Sequence, residues 1–516
     1  MSHAILRPLV CLFALVLLAT PVLGLESQGA KARPVRVAVF VDKGTCGDKI
    51  VALFRALAAS GCQPLGVEIA DLTAGRLNKA NFDVFVLPAG EDGSPVDYWD
   101  PNNLGNYENW KWIEQFVEDG GGVVGIESGA SFLSYLRIGN VSSFFIPSFP
   151  QPGLQDFAIV DRTFGKGSQM AYVSGGGGYF KRSSAVTVAS DTLGRPALIR
   201  YRTVRGRVVL CSFDPELRGD SELDWTMWDK WDLNGVHPNS EGCWILLGRM
   251  VRWAASGNSA APEINATNPT GVRVALVTTH TANGGPSPSL QPAFARAIES
   301  AGHIPLAIRF QDICNGYLTT NNFQVAAFPG GTVGGYSYGL WGYEDLILNF
   351  VYQGGSYYGV CAGAYYASAY MVWEGYPYDV PLLGLFPGTD TGPLTEIAAW
   401  PNWALTPVQI SDPVLGDMGT QQQMYYGGGW KSLYPDVNVA AIYAAPGLYY
   451  GLADGIRFSY GSGRVFLSGT HPEARPGSSE DWLYWDNWLP GTNTPVSDPD
   501  NPWTYVQAIF NKWLVQ

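Results

Sequence analysis

Ser356-Tyr357-Tyr358-Gly359-Val360-Cys361-Ala362-Gly363-Ala364 is an apolar strand pattern that runs into a cysteine and leaves it as a helix pattern. Gly359 and Gly363 let the chain turn tightly without side-chain clashes, so the thiol projects from a strand-to-helix elbow. At the start of a helix the backbone dipoles favour a thiolate. Ligands of parallel α/β sheets bind where the strands end. This one stretch therefore predicts an α/β fold, a site at a strand end, and a helix over 364–370.

Two further signals fall at strand ends. Thr470-His471-Pro472-Glu473 follows the apolar run 464–468, and Pro329-Gly330-Gly331 follows another apolar run. His471 can take the thiol proton, and Glu473 can orient the imidazole and stabilise its charged form. Backbone N–H groups of Gly330, Gly331 and Ala362 are suited to a developing oxyanion. Singly, each signal has a structural explanation, since most buried cysteines and lone histidines are packing. Together, each directly after a strand, they mark Cys361, His471 and Glu473 as the candidate catalytic residues.

The same order of signals occurs earlier in the chain. Gly125-Ile126-Glu127-Ser128-Gly129-Ala130 stands where the elbow should be, and Phe213-Asp214-Pro215-Glu216 where the histidine should be. Each half opens with a strand (35–41; 272–277) and a helix closed by a glycine (49–60; 289–301). A second strand follows (64–69; 304–308), then Pro88-Ala89-Gly90 matches Pro329-Gly330-Gly331. Amphipathic helices at 107–119 and 343–353 lead into the two elbows, and Trp-rich segments at 225–232 and 482–488 follow the late signals. Alternating strands and helices, with strands apolar throughout, indicate parallel sheets covered on both faces. A repeat this long is a duplicated domain, which gives domains at 33–257 and 271–516 with a linker at 258–270.

In the first copy two carboxylates replace the thiol and the imidazole. Glu127 and Asp214 cannot run cysteine-type acyl transfer, and Ser128 occupies the Ala362 place rather than that of Cys361. Glu127, Asp214 and Glu216 thus form a degenerate site. It reads either as a carboxylate cluster for a cation or basic ligand, or, the favoured reading, as a decayed pocket used for packing or ligand recognition. His237 has no counterpart that would support a catalytic role. Aromatics at 334–342, 425–430 and 482–488 surround the second cleft. They either cover the sheet and the domain contact, or form a rim that stacks on sugars or peptides.

The formal charge of −13 and pI near 4.9, with no basic stripe, argue against nucleic acid or an anionic membrane surface as partner. Arg7, the apolar run 9–18 and Val22-Leu23-Gly24 form an export-signal pattern, with an uncleaved anchor as the alternative. The expectation is a secreted or periplasmic chain with a signal peptide at 1–24 and no membrane association after its removal. The six remaining cysteines show no metal-type spacing, so neither zinc nor another cofactor is expected. Disulfides are permitted but not specified. Asn140-Val141-Ser142 and Asn265-Ala266-Thr267 fit the glycosylation pattern.

The cysteine elbow, late His-Pro-Glu and early Pro-Gly-Gly resemble the class I glutamine amidotransferase-like superfamily, and Gly359 to Tyr365 most resembles the N-terminal domain family of biotin–protein ligase. The likeness spans 271–516 and, more weakly, 33–256. It implies tandem flavodoxin-like three-layer domains, the first degenerate, and a Cys361-His471-Glu473 triad. Ligation of biotin is not implied, because no ligase domain follows in this chain. True glutaminases serve a synthetase, which is absent here too. The expected function is a Cys-dependent hydrolase acting on a small-molecule amide or peptide. The alternative is a non-catalytic ligand- or partner-binding protein that keeps the fold with a vestigial pocket.

Overall fold

The computed structural model describes residues 33–42, 44–90, 97–138, 144–147, 153–173, 177–181, 184–218, 222–227, 241–281, 283–497 and 500–516. The export pattern at 1–24, the Asn140 glycosylation pattern and His237 lie outside these residues. Each half is built on five parallel strands in the order 2-1-3-4-5. In the first half these are Gln63–Val67, Arg36–Phe40, Val84–Leu87, Gly122–Ile126 and Arg207–Cys211. Ile304–Ile308, Arg273–Val277, Val325–Phe328, Ser356–Val360 and Gly463–Ser468 repeat the order in the second. That is the flavodoxin-like order, with strands buried on both faces between helices.

Beyond the fifth strand the first sheet continues antiparallel, and the second does so except for one parallel pair, Ser368–Trp373 with Phe386–Gly392. Among the described residues the first sheet reaches nine strands and the second thirteen. The second half's extension includes the hairpin Ala404–Asp412 with Gly416–Tyr425. Its first strand alternates buried and solvent-reaching positions, the period-two pattern of a sheet with one wet face. The sheets are therefore mixed rather than parallel throughout. The elbow helix is also shorter than the sequence predicts. It spans Ala362–Ala367, and Ser368–Trp373 becomes a strand paired with Phe386–Gly392. Ser368 takes an extended conformation (φ −79°, ψ 157°) while its hydroxyl donates back to the Ala364 carbonyl at 3.0 Å. The run Tyr370-Met371-Val372-Trp373 that follows is better suited to a pleated strand than to a helix.

Val35–Gln516 forms one compact unit. The contact between the halves repeats with two-fold logic. The Trp482 carbonyl accepts from Gly66 N–H at 2.7 Å, extending the edge strand of the first sheet. The Trp225 carbonyl accepts from Ala307 N–H at 2.7 Å, doing the same for the second sheet. Both tryptophans have positive φ (61° and 65°) and lie 6.0 Å apart, ring to ring. Phe54 stacks on Trp482 at 5.6 Å, and Arg55 lies over Trp225 while pairing with Glu299 at 2.9 Å. The helices Gly47–Ala59 and Gln291–Ser300 meet so closely that a Cβ on Gly47 would lie 2.3 Å from the Gln291 side-chain oxygen. The Trp segments, more than the other aromatic stretches, thus make the contact between the copies. Cys46, Cys62, Cys211, Cys243, Cys314 and Cys361 are free thiols. Among the described residues no helix is long and apolar enough to cross a membrane.

Candidate active site

Cys361 leaves the strand Ser356–Val360 with φ 49° and ψ −109°, and the helix Ala362–Ala367 begins at the next residue. A non-glycine residue held there costs about 1–3 kcal/mol and needs support on all sides. Cys361 N–H donates to the Ser468 carbonyl at 2.9 Å, tying the elbow to the fifth strand. Gly363 presses against the neighbouring strand, where a Cβ would lie 2.0 Å from the Phe328 carbonyl oxygen. Tyr357 Oη donates to the Gly363 carbonyl at 2.8 Å from below. The elbow expected from the sequence is present, and it is strained.

His471 follows the strand Gly463–Ser468 and is fixed by its N–H donating to the Met424 carbonyl at 2.8 Å. Its Nδ1 lies 2.8 Å from Glu473 Oε1, and both side chains are fully buried. Trp503 Nε1 donates to the Glu473 carbonyl at 2.7 Å and holds that residue in place. The other face of the imidazole meets the thiol. Cys361 Sγ and His471 Nε2 each lie 3.4 Å from one atom, the Tyr426 carbonyl oxygen. Burial alone would lower the His471 pKa. The charges of Glu473 and Cys361, with hydrogen bonds to both, push it up to about 10. At neutral pH the ring therefore carries a proton, the state that can be given to a leaving nitrogen.

Gly330 forms the floor under the imidazole, since a Cβ there would lie 2.3 Å from His471 Cε1. Its carbonyl accepts from Ser287 N–H at 2.8 Å, and Thr332 N–H donates to the Gly285 carbonyl at 2.9 Å, so the turn is pinned on both sides of Gly331. Ala362 N–H belongs to the first turn of a helix, whose N–H groups have no partner within the helix. Gly331, Ala362 and Cys361 line one cavity of about 200 Å³, closed by Tyr365, Trp373 and Trp400. A second cavity of about 290 Å³ reaches His471 and is lined in part by the first half. The residues expected from sequence are thus brought together around two chambers.

The first half keeps the scaffold and fills the site. Glu127 adopts φ 50° and ψ −112°, the same elbow geometry as Cys361. Lys49 Nζ sits 3.1 Å from Asp214 Oδ1 and 3.7 Å from Glu127 Oε2, with all three side chains buried. Burial would lower the Lys49 pKa, but Asp214 and Glu127, with smaller effects of Cys46 and Glu216, hold it well above its usual value. Burial, and then the Asp214 charge, pushes the Glu216 carboxyl well above the carboxylate range despite Lys49. The cation at the carboxylates is thus an internal lysine, the arrangement of a pocket given over to packing. Ser128 completes the closure. Its hydroxyl accepts from Gly90 N–H, the counterpart of Gly331 N–H, so the equivalent oxyanion donor is consumed. Trp244 Nε1 still donates to the Glu216 carbonyl at 2.7 Å, as Trp503 does to Glu473. Among the described residues no group of three or more His, Cys, Asp or Glu is arranged to hold a metal.

Sequence reasoning missed Lys49, which sits in a helix start of ordinary pattern. The available signal was alignment of the copies on Gly61 and Gly302, which sets Lys49 opposite Leu290. It also missed Asp42 and Glu68 in the second cavity, and Tyr426, whose backbone joins the thiol and imidazole.

The family described as biotin-protein ligase, N terminal, matches residues 319–483, which contain the elbow and His471-Pro472-Glu473. The biotin–protein ligase of Schizosaccharomyces pombe is 32% identical over 143 residues, covering 25% of this chain and 22% of that protein. The match thus spans about a fifth of that relative's length. Among solved structures, a putative ThuA-like protein from Parabacteroides merdae is 15% identical, with a TM-score of 0.29 over 46% of this chain and 94% of its own. A cold-adapted β-galactosidase from Rahnella sp. R3 is 16% identical, with a TM-score of 0.27 over 45% of this chain and 32% of its own.

Proposed function

We propose that the second half, whose residues 319–483 match the family described as biotin-protein ligase, N terminal, uses that scaffold as a Cys-dependent hydrolase of an amide or peptide bond. The observation that carries this reading is the shared Tyr426 carbonyl, 3.4 Å from both Cys361 Sγ and His471 Nε2, with Glu473 2.8 Å behind the ring. The Cys361 thiol gives its proton to His471, the resulting thiolate attacks the carbonyl carbon, and the carbonyl π electrons move to oxygen, where Gly331 and Ala362 N–H groups donate to the oxyanion. As that oxygen reforms the carbonyl, the C–N bond breaks and His471 passes its proton to the leaving nitrogen. Water then attacks the thioester, giving a proton to His471. The C–S bond breaks, and the acid leaves. Glu473 holds the imidazole orientation and its charge throughout.

Export belongs to the same proposal. Cleavage after Gly24 leaves a chain that starts at Leu25, and secreted material should show that N-terminus by mass spectrometry. Full-length protein retained in the cytoplasm would contradict it.

Incubation with a p-nitrophenyl ester of phenylacetic acid, followed by intact-mass and peptide mapping, tests the chemistry. The expected result is an acyl adduct on Cys361 that is absent in Cys361→Ala and fails to form in His471→Ala. Ester cleavage undiminished in Cys361→Ala would overturn the reading.

A further inference from the structure

The two chambers at the triad differ in chemistry and in origin. The chamber that contains Cys361 and Ala362 is walled by Val333, Tyr365, Met371, Trp373, Tyr378 and Trp400, with no charged side chain in its lining. The chamber that contains His471 is lined by Asp42 and Glu68 of the first half, with His280, Trp400 and Tyr426 of the second, and among the described residues it is lined by no lysine or arginine. Burial, and then the Asp42 charge, pushes the Glu68 carboxyl above its usual range, and a cation seated between the two would favour its ionised form. Burial, and then the Glu68 and Asp42 charges, raises the Tyr426 phenol, and all three residues line the one chamber, beside the backbone that joins thiol and imidazole. In acyl transfer the leaving nitrogen departs on the side of the proton donor, and the acyl group stays with the sulfur. The position of the chambers relative to His471 and Cys361 therefore assigns them.

We infer that the first half, its own elbow filled by Lys49, supplies the leaving-group subsite of the second half's site. The substrate class is an amide between an uncharged, aromatic-sized acyl group and an amine that carries a second positive charge. The acyl group packs against Trp373 and Trp400. The departing amine takes the His471 proton while its distal cation faces Asp42 and Glu68. This inference rests on the hydrolase reading for its chemistry, but the charge preference of the chamber stands apart from turnover.

Three phenylacetyl amides of one chain length, those of 1,4-diaminobutane, butylamine and 4-aminobutyrate, separate the cases with the full chain. The cationic leaving group should be cleaved about 10-fold or more faster in kcat/KM than the neutral one, with the anionic one slowest. In Asp42→Asn/Glu68→Gln the cationic-to-neutral ratio should fall to about one, with folding checked by thermal denaturation. A ratio near one in the wild type, or an unchanged ratio in the double variant, overturns the inference. Protection of Cys361 from iodoacetamide by free 1,4-diaminobutane, but not by 4-aminobutyrate, reads the same chamber without turnover. No amide cleavage with diamine protection retained would sink the hydrolase reading and uphold the subsite. Lack of diamine protection sinks the subsite whether or not amides are cleaved.

Discussion

Cys361 and Glu127 share one strained backbone geometry, so the elbow is a property of the fold and the chemistry is decided by the side chain placed on it. The triad was legible because each member directly follows an apolar strand, and strand ends converge on one edge of a parallel sheet. Lys49 was not, because its role depends on two carboxylates that come from distant strands. Removing it should leave those carboxylates buried without their cation. Lys49→Met is expected to destabilise the protein by about 3–5 kcal/mol, read as a drop in the urea midpoint. Unchanged stability would mean the cluster is not held by that ion pair. Glu473→Gln removes the charge that orients and stabilises the imidazolium, and acylation of Cys361 should slow by about 10²–10⁴-fold. His471 adds a pH dependence of known sign. Its folded pKa near 10 lies above the unfolded value of about 6.5. The stabilisation is thus complete below about pH 6.5 and lost as pH rises toward 10. The difference in Tm between wild type and Glu473→Gln should be largest at pH 6 and shrink toward pH 10. A difference that grows with pH would contradict the assignment.

At the scale of elements, the five parallel strands and their helices were readable from apolar runs, closing glycines and the repeated order of signals. The antiparallel extension was not. Its strands alternate inward and outward and are broken by Pro and Gly, so they carry no long apolar run, and their partners are chosen by the sheet edge. The helix limit at Ala367 was hidden for a related reason, since the partners of Ser368–Trp373, Phe386–Gly392 and Tyr376–Pro377, follow it in sequence and carry no long apolar run. Two glycines separate support of the site from support of the fold. Gly330→Ala places a methyl against the His471 ring, 2.3 Å from Cε1. Cys361 reactivity should be lost while circular dichroism is retained. Gly363→Ala drives a Cβ to 2.0 Å from a backbone oxygen of the adjacent strand, which cannot step aside. Soluble expression of folded protein should fall. Identical behaviour of the two variants would mean that Gly330 has no special relation to the imidazole.

For the whole molecule, the halves exchange Trp segments across a pseudo-two-fold contact, and Phe54, Trp225, Phe294 and Trp482 belong to one continuous core. A sequence repeat announces two domains but does not say that each completes the sheet edge of the other. The coupling follows from Trp482 and Trp225 each lending a backbone carbonyl to the opposite edge strand. Trp482→Ala keeps that carbonyl but removes the ring packed on Phe54 and Trp225, so it should cost about 3–5 kcal/mol and lower the stability of both halves together, seen as one shifted unfolding transition. Two separate transitions in the wild type would contradict a common core. The same contact brings Asp42 and Glu68 to the His471 chamber, which gives the degenerate half a place in the site of the intact one.

The central claim is that Cys361, alone among the thiols, is activated by a buried imidazole held by Glu473. Site-resolved iodoacetamide labelling of the native protein, followed cysteine by cysteine by mass spectrometry, tests it most directly. The account predicts that Cys361 reacts far faster than Cys46, Cys62, Cys211, Cys243 and Cys314, and that His471→Ala removes this lead while the fold persists. Equal, slow labelling of all six, or a Cys361 rate indifferent to His471, would contradict it.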